Sequence, residues 1–267
     1  MNAERAALGK KPIEEDDDDD TPSGGATVEK TVSKTDPECG MFVKGSHERQ
    51  FAYEAHTACD RRGFVLGVEV TAGNISDSVA WDAVYDKVTG RFPEAKFIAM
   101  DAGYKTPWIA KKTLDDNRIP ILPYTRTRNP KDSQRLRLWE YIYDPAEDTF
   151  TCTRGGVLKH TTTDKNGKRT YRTMPSKCKD CPCKYLCGAN EKGQAILQTH
   201  IWQEYLNLVD GLRRTDKGKE IYARRKETIE RVFADAKEKH GMRYTHMRGL
   251  ARVTNWAKLK FAAMNLK

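Results

Sequence analysis

The chain has 267 residues, 38% of them hydrophobic, with 47 Lys/Arg against 38 Asp/Glu and a formal charge of +9. That is enough apolar material for one large domain, or a domain carrying an insertion, around a core of its own. No stretch approaches the ~18 apolar residues of a membrane span, and the first residues lack the apolar block of a secretory signal, so the expectation is a cytoplasmic protein with no membrane partner.

Charge is unevenly placed. Residues 1–40 hold 5 Lys/Arg against 11 Asp/Glu, so the remainder carries +15, and residues 211–267 alone hold 16 Lys/Arg against 6 Asp/Glu. A field of that sign and density suits a polyanion, nucleic acid before an anionic membrane surface; the plainer alternative is a solvated basic face. The run "EEDDDDDTPSGG" (Glu14–Gly25) repels itself and is otherwise Thr, Pro, Ser and Gly. Residues 1–40 therefore read as a disordered acidic tail or linker.

From Gln50 onward the pattern is that of ordered structure. "FAYEAHTACD" and "FVLGVEVTAG" are β-prone runs separated by Arg61-Arg62-Gly63, the pattern of a hairpin. A helix capped by Ser76 or Asp77 should follow, carrying Val79, Val84 and Val88 and stopping at Gly90. "KFIAMD" (Lys96–Asp101) is short and almost wholly apolar, which predicts a strand buried on both faces of a mixed or parallel sheet. It ends on Asp101, just before a helix opened by Pro107, and in open α/β sheets chemistry gathers at such strand ends. Asp101 is there either as a turn or helix cap or as a metal ligand. "IPILPY" (Ile119–Tyr124) reads as the next strand.

Residues 125–200 change character, being polar and β-like, and hold five of the seven cysteines. Cys178, Cys181 and Cys187 fall within ten residues and Cys152 lies upstream, so four sulfurs are available to a structural Zn2+; the alternative is packed, free thiols. Cys183 offers a competing chelate with Cys187. Cys39 and Cys59 need only packing. Beyond them, "RRKETIERVFADAKEKHGMRY" (Arg224–Tyr244) reads as a basic amphipathic helix with Tyr222, Ile229, Phe233 and Ala236 on one stripe. Glu230 is expected at the stripe's edge, partly desolvated between Lys226 and Lys237, as an ion-pair partner or a metal ligand. His240 and His246 read as phosphate contacts or as nothing in particular.

Two of these segments resemble the motifs of bacterial insertion-sequence transposases with a ribonuclease-H-like DDE core. "FIAMDAGYKTP" (Phe97–Pro107) looks like their second-aspartate motif, and "RRKETIERVFADAKEKHGMRYTHMRGL" (Arg224–Leu250) like their glutamate motif. Thr35–Ser78 is similar to the segment before these, so the resemblance spans roughly residues 35–267. It implies an α/β fold, a ribonuclease-H-like mixed sheet flanked by helices. On this reading 1–40 is the tail, 41–124 the first part of the core, 125–201 a mostly β, cysteine-bearing insertion with a four-cysteine metal site, and 202–267 the completion of the core.

The resemblance further implies that Asp101 and Glu230 hold Mg2+ (or Mn2+) for strand cleavage and strand transfer on DNA, at transposon ends and target. Lys237 matches a lysine used against the DNA backbone, and Lys226 stands where relatives often have arginine, a point charge in place of a fork. Arg224, Arg225, Arg243 and Arg248 would hold phosphates. The first aspartate of the family, in an Asp-Gly-Thr type of motif, has no counterpart here, so the chain is expected to be truncated before it, leaving ladder hydrogen bonds open on both neighbours of its strand. Asp36 or Asp60 are the candidate replacements. The functional expectations are three: the C-terminal portion of a DDE transposase, nucleoid-associated and homo-oligomeric; an inactive DNA-binding fragment that regulates the full-length enzyme through mixed oligomers; or a ribonuclease-H-like nuclease unrelated to transposition.

Overall fold

The hairpin expected at residues 51–73 forms because its β-branched residues alternate while Asp60 and Gly63 shape the turn. Asp60 Oδ1 accepts the N–H groups of Arg62 (2.8 Å) and Phe64 (2.9 Å), and Gly63 sits at φ +89°, where a Cβ would be strained. This computed structural model describes residues 2–12, 31–45, 48–124 and 136–266, and the acidic run at Glu14–Gly25 lies outside them. The described residues fall into two compact units, one of Asn2, 31–45, 48–124 and 206–266, the other of 3–12 and 136–205.

A short helix α1 (Asn2–Ala7) comes first in the chain, and in the smaller unit Lys10 Nζ donates to Asn166 Oδ1 at 2.8 Å. In the larger unit, strands β1 (Gly40–Lys44), β2 (Glu48–Cys59) and β3 (Val65–Ala72) form an antiparallel sheet. Residues 48–52 of β2 pair with β1 and residues 53–59 with β3. The period of two then sorts the side chains. Ala55 opposite Val70 and Thr57 opposite Val68 share one face; Glu54 opposite Thr71 and His56 opposite Glu69 share the other.

Helix α2 (Asp77–Arg91) packs against β3, burying Ala80, Trp81, Tyr85 and Val88. Of the residues read for this face, Val88 is buried, Val84 half-buried and Val79 exposed, and the helix passes Gly90 to end before Phe92-Pro93. Strand β4 (Phe97–Ala99) runs parallel to β5 (Ile119–Ile121), with α3 (Pro107–Asp115) between them in sequence, capped by Thr106 and started by Pro107. Burial grows along β4, from exposed Phe97 through half-buried Ile98 and Ala99 to Met100 just past its end, which is 6% exposed, so the strand is not buried on both faces as its apolar run suggests. Among the described residues β4 and β5 form a sheet of their own, with no ladder to β2 or β3.

The smaller unit is an antiparallel sheet of β6 (Ile142–Asp144), β7 (Thr149–Thr151), β8 (Val157–Thr163), β9 (Lys168–Arg172) and β10 (Ile196–His200), in spatial order β10-β9-β8-β7-β6, with a short helix α4 (Lys184–Cys187). Its core is Tyr141, Phe150, Leu158, Tyr171, Cys178 and Ala195. Helices α5 (Gln203–Arg214), α6 (Asp216–Ala223), α7 (Ile229–Glu238) and α8 (Leu250–Asn265) follow.

In the larger unit, Val232 and Ala236 of α7 and Val253, Ala257 and Phe261 of α8 pack on Val68 and Val70. Polar clamps hold α8 at both ends. Asp36 accepts the Gly249 N–H and the Tyr53 hydroxyl (2.9 Å), Glu38 accepts the Leu250 N–H, and Asn265 exchanges two hydrogen bonds with the Val65 backbone. Asp36 and Glu38 thereby satisfy amides that a helix start leaves unpaired. Replacing Asp36 with Ala should lower the unfolding free energy by about 1–2 kcal/mol in a denaturant titration, the range for a lost helix-start acceptor.

Candidate functional site

Asp101 is where β4 leaves the core: Met100 is buried and Asp101 is 62% exposed at its side chain. Its extended backbone (φ −84°, ψ 175°) lets Oδ1 accept the Ala102 N–H at 2.7 Å, capping a 3-10 turn over Ala102–Tyr104. The same oxygen lies 3.5 Å from Nη1 of Arg225. The Arg225 side chain is 15% exposed, lies 5.3 Å from the Tyr222 ring and donates to the Tyr222 hydroxyl at 3.2 Å. The aspartate and glutamate segments, far apart in the chain, therefore meet at this ion pair.

The glutamate segment is not one helix. Residues 224–227 form a 3-10 turn, and Thr228 (φ −115°, ψ −96°) breaks the path before α7 begins at Ile229. Ile229, Val232, Phe233 and Ala236 then form the buried stripe, while Tyr222 and Lys226 belong to the preceding segments. Glu230 lies in the first turn of α7 and is exposed, not partly desolvated as its neighbours in sequence suggest. The helix dipole favours a carboxylate at that end.

Of the other candidate DNA contacts, Lys226, Lys237 and Arg248 are not buried. Arg224 pairs with Glu220 at 2.6 Å, and Arg243 with Glu238. Arg225 is the exception, since it faces Asp101 and stacks on Tyr222. The two proposed replacements for a first aspartate have other engagements: Asp36 holds the start of α8, and Asp60 shapes the β2–β3 turn.

A group that the sequence reading passes over lies next to the Asp101 turn. Ligand atoms of Glu54, His56 and Asp77 all lie within 4.8 Å of one another, and this is the group of three or more His, Cys, Asp or Glu side chains so placed among the described residues. His56 is 2% exposed; its Nε2 is 2.9 Å from Thr71 Oγ1, and its Nδ1 is 3.4 Å from both Asp77 Oδ1 and the Tyr104 hydroxyl. Burial, then the charge of Asp77, pushes the Glu54 carboxyl above its ordinary range, partly offset by His56. Burial, then Asp77, Glu54 and Asp101, raises the Tyr104 hydroxyl further. The signal available in sequence is the period of two, which puts residues 54 and 56 on one strand face; Asp77 reads there only as a cap.

In the smaller unit Cys152, Cys181 and Cys187 lie against the core that contains Cys178. Burial, then Cys178, Cys152 and Cys181, raises the Cys187 thiol, and burial, then Cys187, Cys152 and Cys178, pushes Tyr141 up to about 12. The four sulfurs thus share one neighbourhood, although no three of them are within 4.8 Å of one another. Cys183 points elsewhere, accepting from Arg154 Nε at 3.4 Å. Cys39 donates to the Asp36 carbonyl, and burial, then Asp60, pushes the Cys59 thiol up to about 11.

The molecule is thus a mixed α/β protein compatible with a ribonuclease-H-like domain, with an aspartate at a strand end, an ion pair from it to the turn before the glutamate-bearing helix, and a basic C-terminal segment. Residues 151–267 match the family model described as "Transposase DDE domain", which supports a DDE transposase. The matched region contains Glu230, the four clustered cysteines and the basic candidates, while Asp101 lies outside it. No curated protein and no solved structure matches the chain. Among the described residues no helix is long and apolar enough to cross a membrane.

Gly103 links the two acidic groups. A Cβ there would fall 2.2 Å from Asp77 Oδ2. Gly103→Ala should therefore displace Asp77 or the 102–104 turn and cost about 1–3 kcal/mol. The control is Gly90→Ala in α2, where a Cβ meets nothing within 4 Å and a gain of about 0.5–1 kcal/mol is expected in the same denaturant titration.

Proposed function

We propose that the chain is a bacterial DDE transposase acting on DNA, with Asp101 and Glu230 as metal-binding carboxylates. The observation that carries this reading is the 3.5 Å contact between Asp101 and Arg225, which brings the two motifs together. The donor chemistry fits Mg2+ or Mn2+: two exposed carboxylates, hard oxygen ligands, with both protein contacts of Asp101 made through Oδ1. Such an ion, when bound, activates the attacking water or 3′-hydroxyl and stabilises the leaving oxygen. Lys226, Lys237, Arg224, Arg243 and Arg248 hold backbone phosphates and position the duplex without reading its sequence. Arg225 neutralises Asp101, a role that a bound cation would take over. Assembly into homo-oligomers, or mixed oligomers with full-length transposase, belongs to the same reading.

A second reading has an observation of its own. Neither Asp101 nor Glu230 belongs to a group of three ligating side chains among the described residues, and Asp101 is already engaged by its cap and by Arg225. That arrangement suits a DNA-binding chain without cleavage activity, which would regulate the complete enzyme. Incubation with labelled terminal-repeat DNA and Mg2+ or Mn2+ separates the two. Nicking that falls by roughly two orders of magnitude or more in Glu230→Gln and Asp101→Asn, with binding retained, supports the enzyme. Binding without nicking in the unaltered chain supports the regulator.

The same proposal gives the smaller unit one structural Zn2+ on Cys152, Cys178, Cys181 and Cys187. Tetrahedral coordination brings sulfur atoms to about 3.8 Å from one another, so these thiols would contract around the ion. Metal analysis of the purified chain should find one zinc, retained in Cys183→Ser and lost in Cys178→Ser.

A further inference from the structure

The phosphoryl-transfer reading makes no use of Glu54, His56 and Asp77, yet they are arranged as ligands. Glu54 and His56 project from the same face of β2, and Asp77 opens α2. Asp77 is held close to the Gly103 backbone, which has no Cβ to push it away. Each of the three offers one donor atom within 4.8 Å of the other two. Two carboxylates this close and half-buried repel one another unless a positive charge sits between them. Among the described residues, no lysine or arginine forms an ion pair with either, and the group that faces Asp77 is Nδ1 of His56, 3.4 Å from Oδ1.

The imidazole is set for coordination. Its ring is almost fully enclosed and Nε2 is committed to Thr71 Oγ1 at 2.9 Å. With Nε2–H donating to that hydroxyl, the lone pair is on Nδ1, the atom that faces Asp77 at 3.4 Å. A hydrogen bond from the far nitrogen that fixes tautomer and ring orientation is how ligating histidines are ordinarily held.

We propose that Glu54, His56 and Asp77 bind one divalent transition-metal cation, of the Mn2+ or Zn2+ class, at a site separate from Asp101 and Glu230. One imidazole with two carboxylates suits these ions, whereas Mg2+ and Ca2+ prefer oxygen alone. The cation fastens β2 to the first turn of α2, directly against the turn that Asp101 caps. The inference shares no ligand with the transposase reading and stands without it.

Pulsed electron paramagnetic resonance of Mn2+ added to the metal-free full chain tests it. The expected result is a bound ion coupled to an imidazole nitrogen, in the unaltered chain and equally in the Asp101→Asn/Glu230→Gln double variant. The coupling should vanish in His56→Gln, and Mn2+ affinity should fall about tenfold or more in Glu54→Gln and Asp77→Asn. Far-UV circular dichroism of each metal-free variant checks its fold. If buried His56→Gln does not fold, the near-isosteric carboxylate variants and the spectrum of the unaltered chain carry the test. Mn2+ bound without nitrogen coupling, or bound in the unaltered chain but lost in the double variant, would overturn the proposal, as would unchanged affinity in both carboxylate variants.

Discussion

Strand β2 is committed on both faces, and the larger unit is organised around that constraint. Ala55 and Thr57 lie on the face that carries Val68 and Val70, the apolar surface against which α7 and α8 pack. Glu54 and His56 lie on the other, with α2 and the Asp101 turn. Because side chains alternate strictly along a strand, a slip of β2 by one residue would turn Glu54 and His56 toward the face on which α7 and α8 pack and carry Ala55 and Thr57 to the other. The hairpin turn at Asp60–Phe64 and the Asn265–Val65 hydrogen bonds hold the register that prevents this.

Electrostatics joins the pieces that packing leaves adjacent. Arg225 is largely buried, stacked on Tyr222 and aimed at Asp101. Arginine suits this place because its planar, weakly hydrated guanidinium tolerates desolvation and stacking better than an ammonium does. The pair ties a strand end to the turn that precedes α7. A carboxylate neutralised by arginine is also one that a divalent cation must compete for. This is the physical basis on which an active and a regulatory reading of the chain differ.

The smaller unit solves a different problem. Its sheet is short-stranded and polar, and its apolar core includes Cys178 beside Leu158 and Tyr171. Three further cysteines line that core, and crowding among poorly solvated thiols raises the Cys187 group. A metal would exchange that crowding for coordination, which is how small β units with thin cores gain stability.

Much of this was legible in the residues. The hairpin, the helix after Ser76, the parallel β4–β5 pair, the Pro107 helix start and the cysteine set all rest on local rules of alternation, capping and spacing. Those rules act within a few residues, so one chain is enough to read them. The capping role of Asp101 is legible for the same reason. The break at Thr228, the exposure of Glu230, the role of Asp36 at the start of α8 and the Glu54–His56–Asp77 group were decided only by tertiary structure. Each depends on residues brought together from distant parts of the chain, such as Asp36 with Gly249, Asp77 with Gly103 and Asp101 with Arg225. Local periodicity carries no term for such contacts, because the free energy that selects them comes from desolvation and packing in the folded unit.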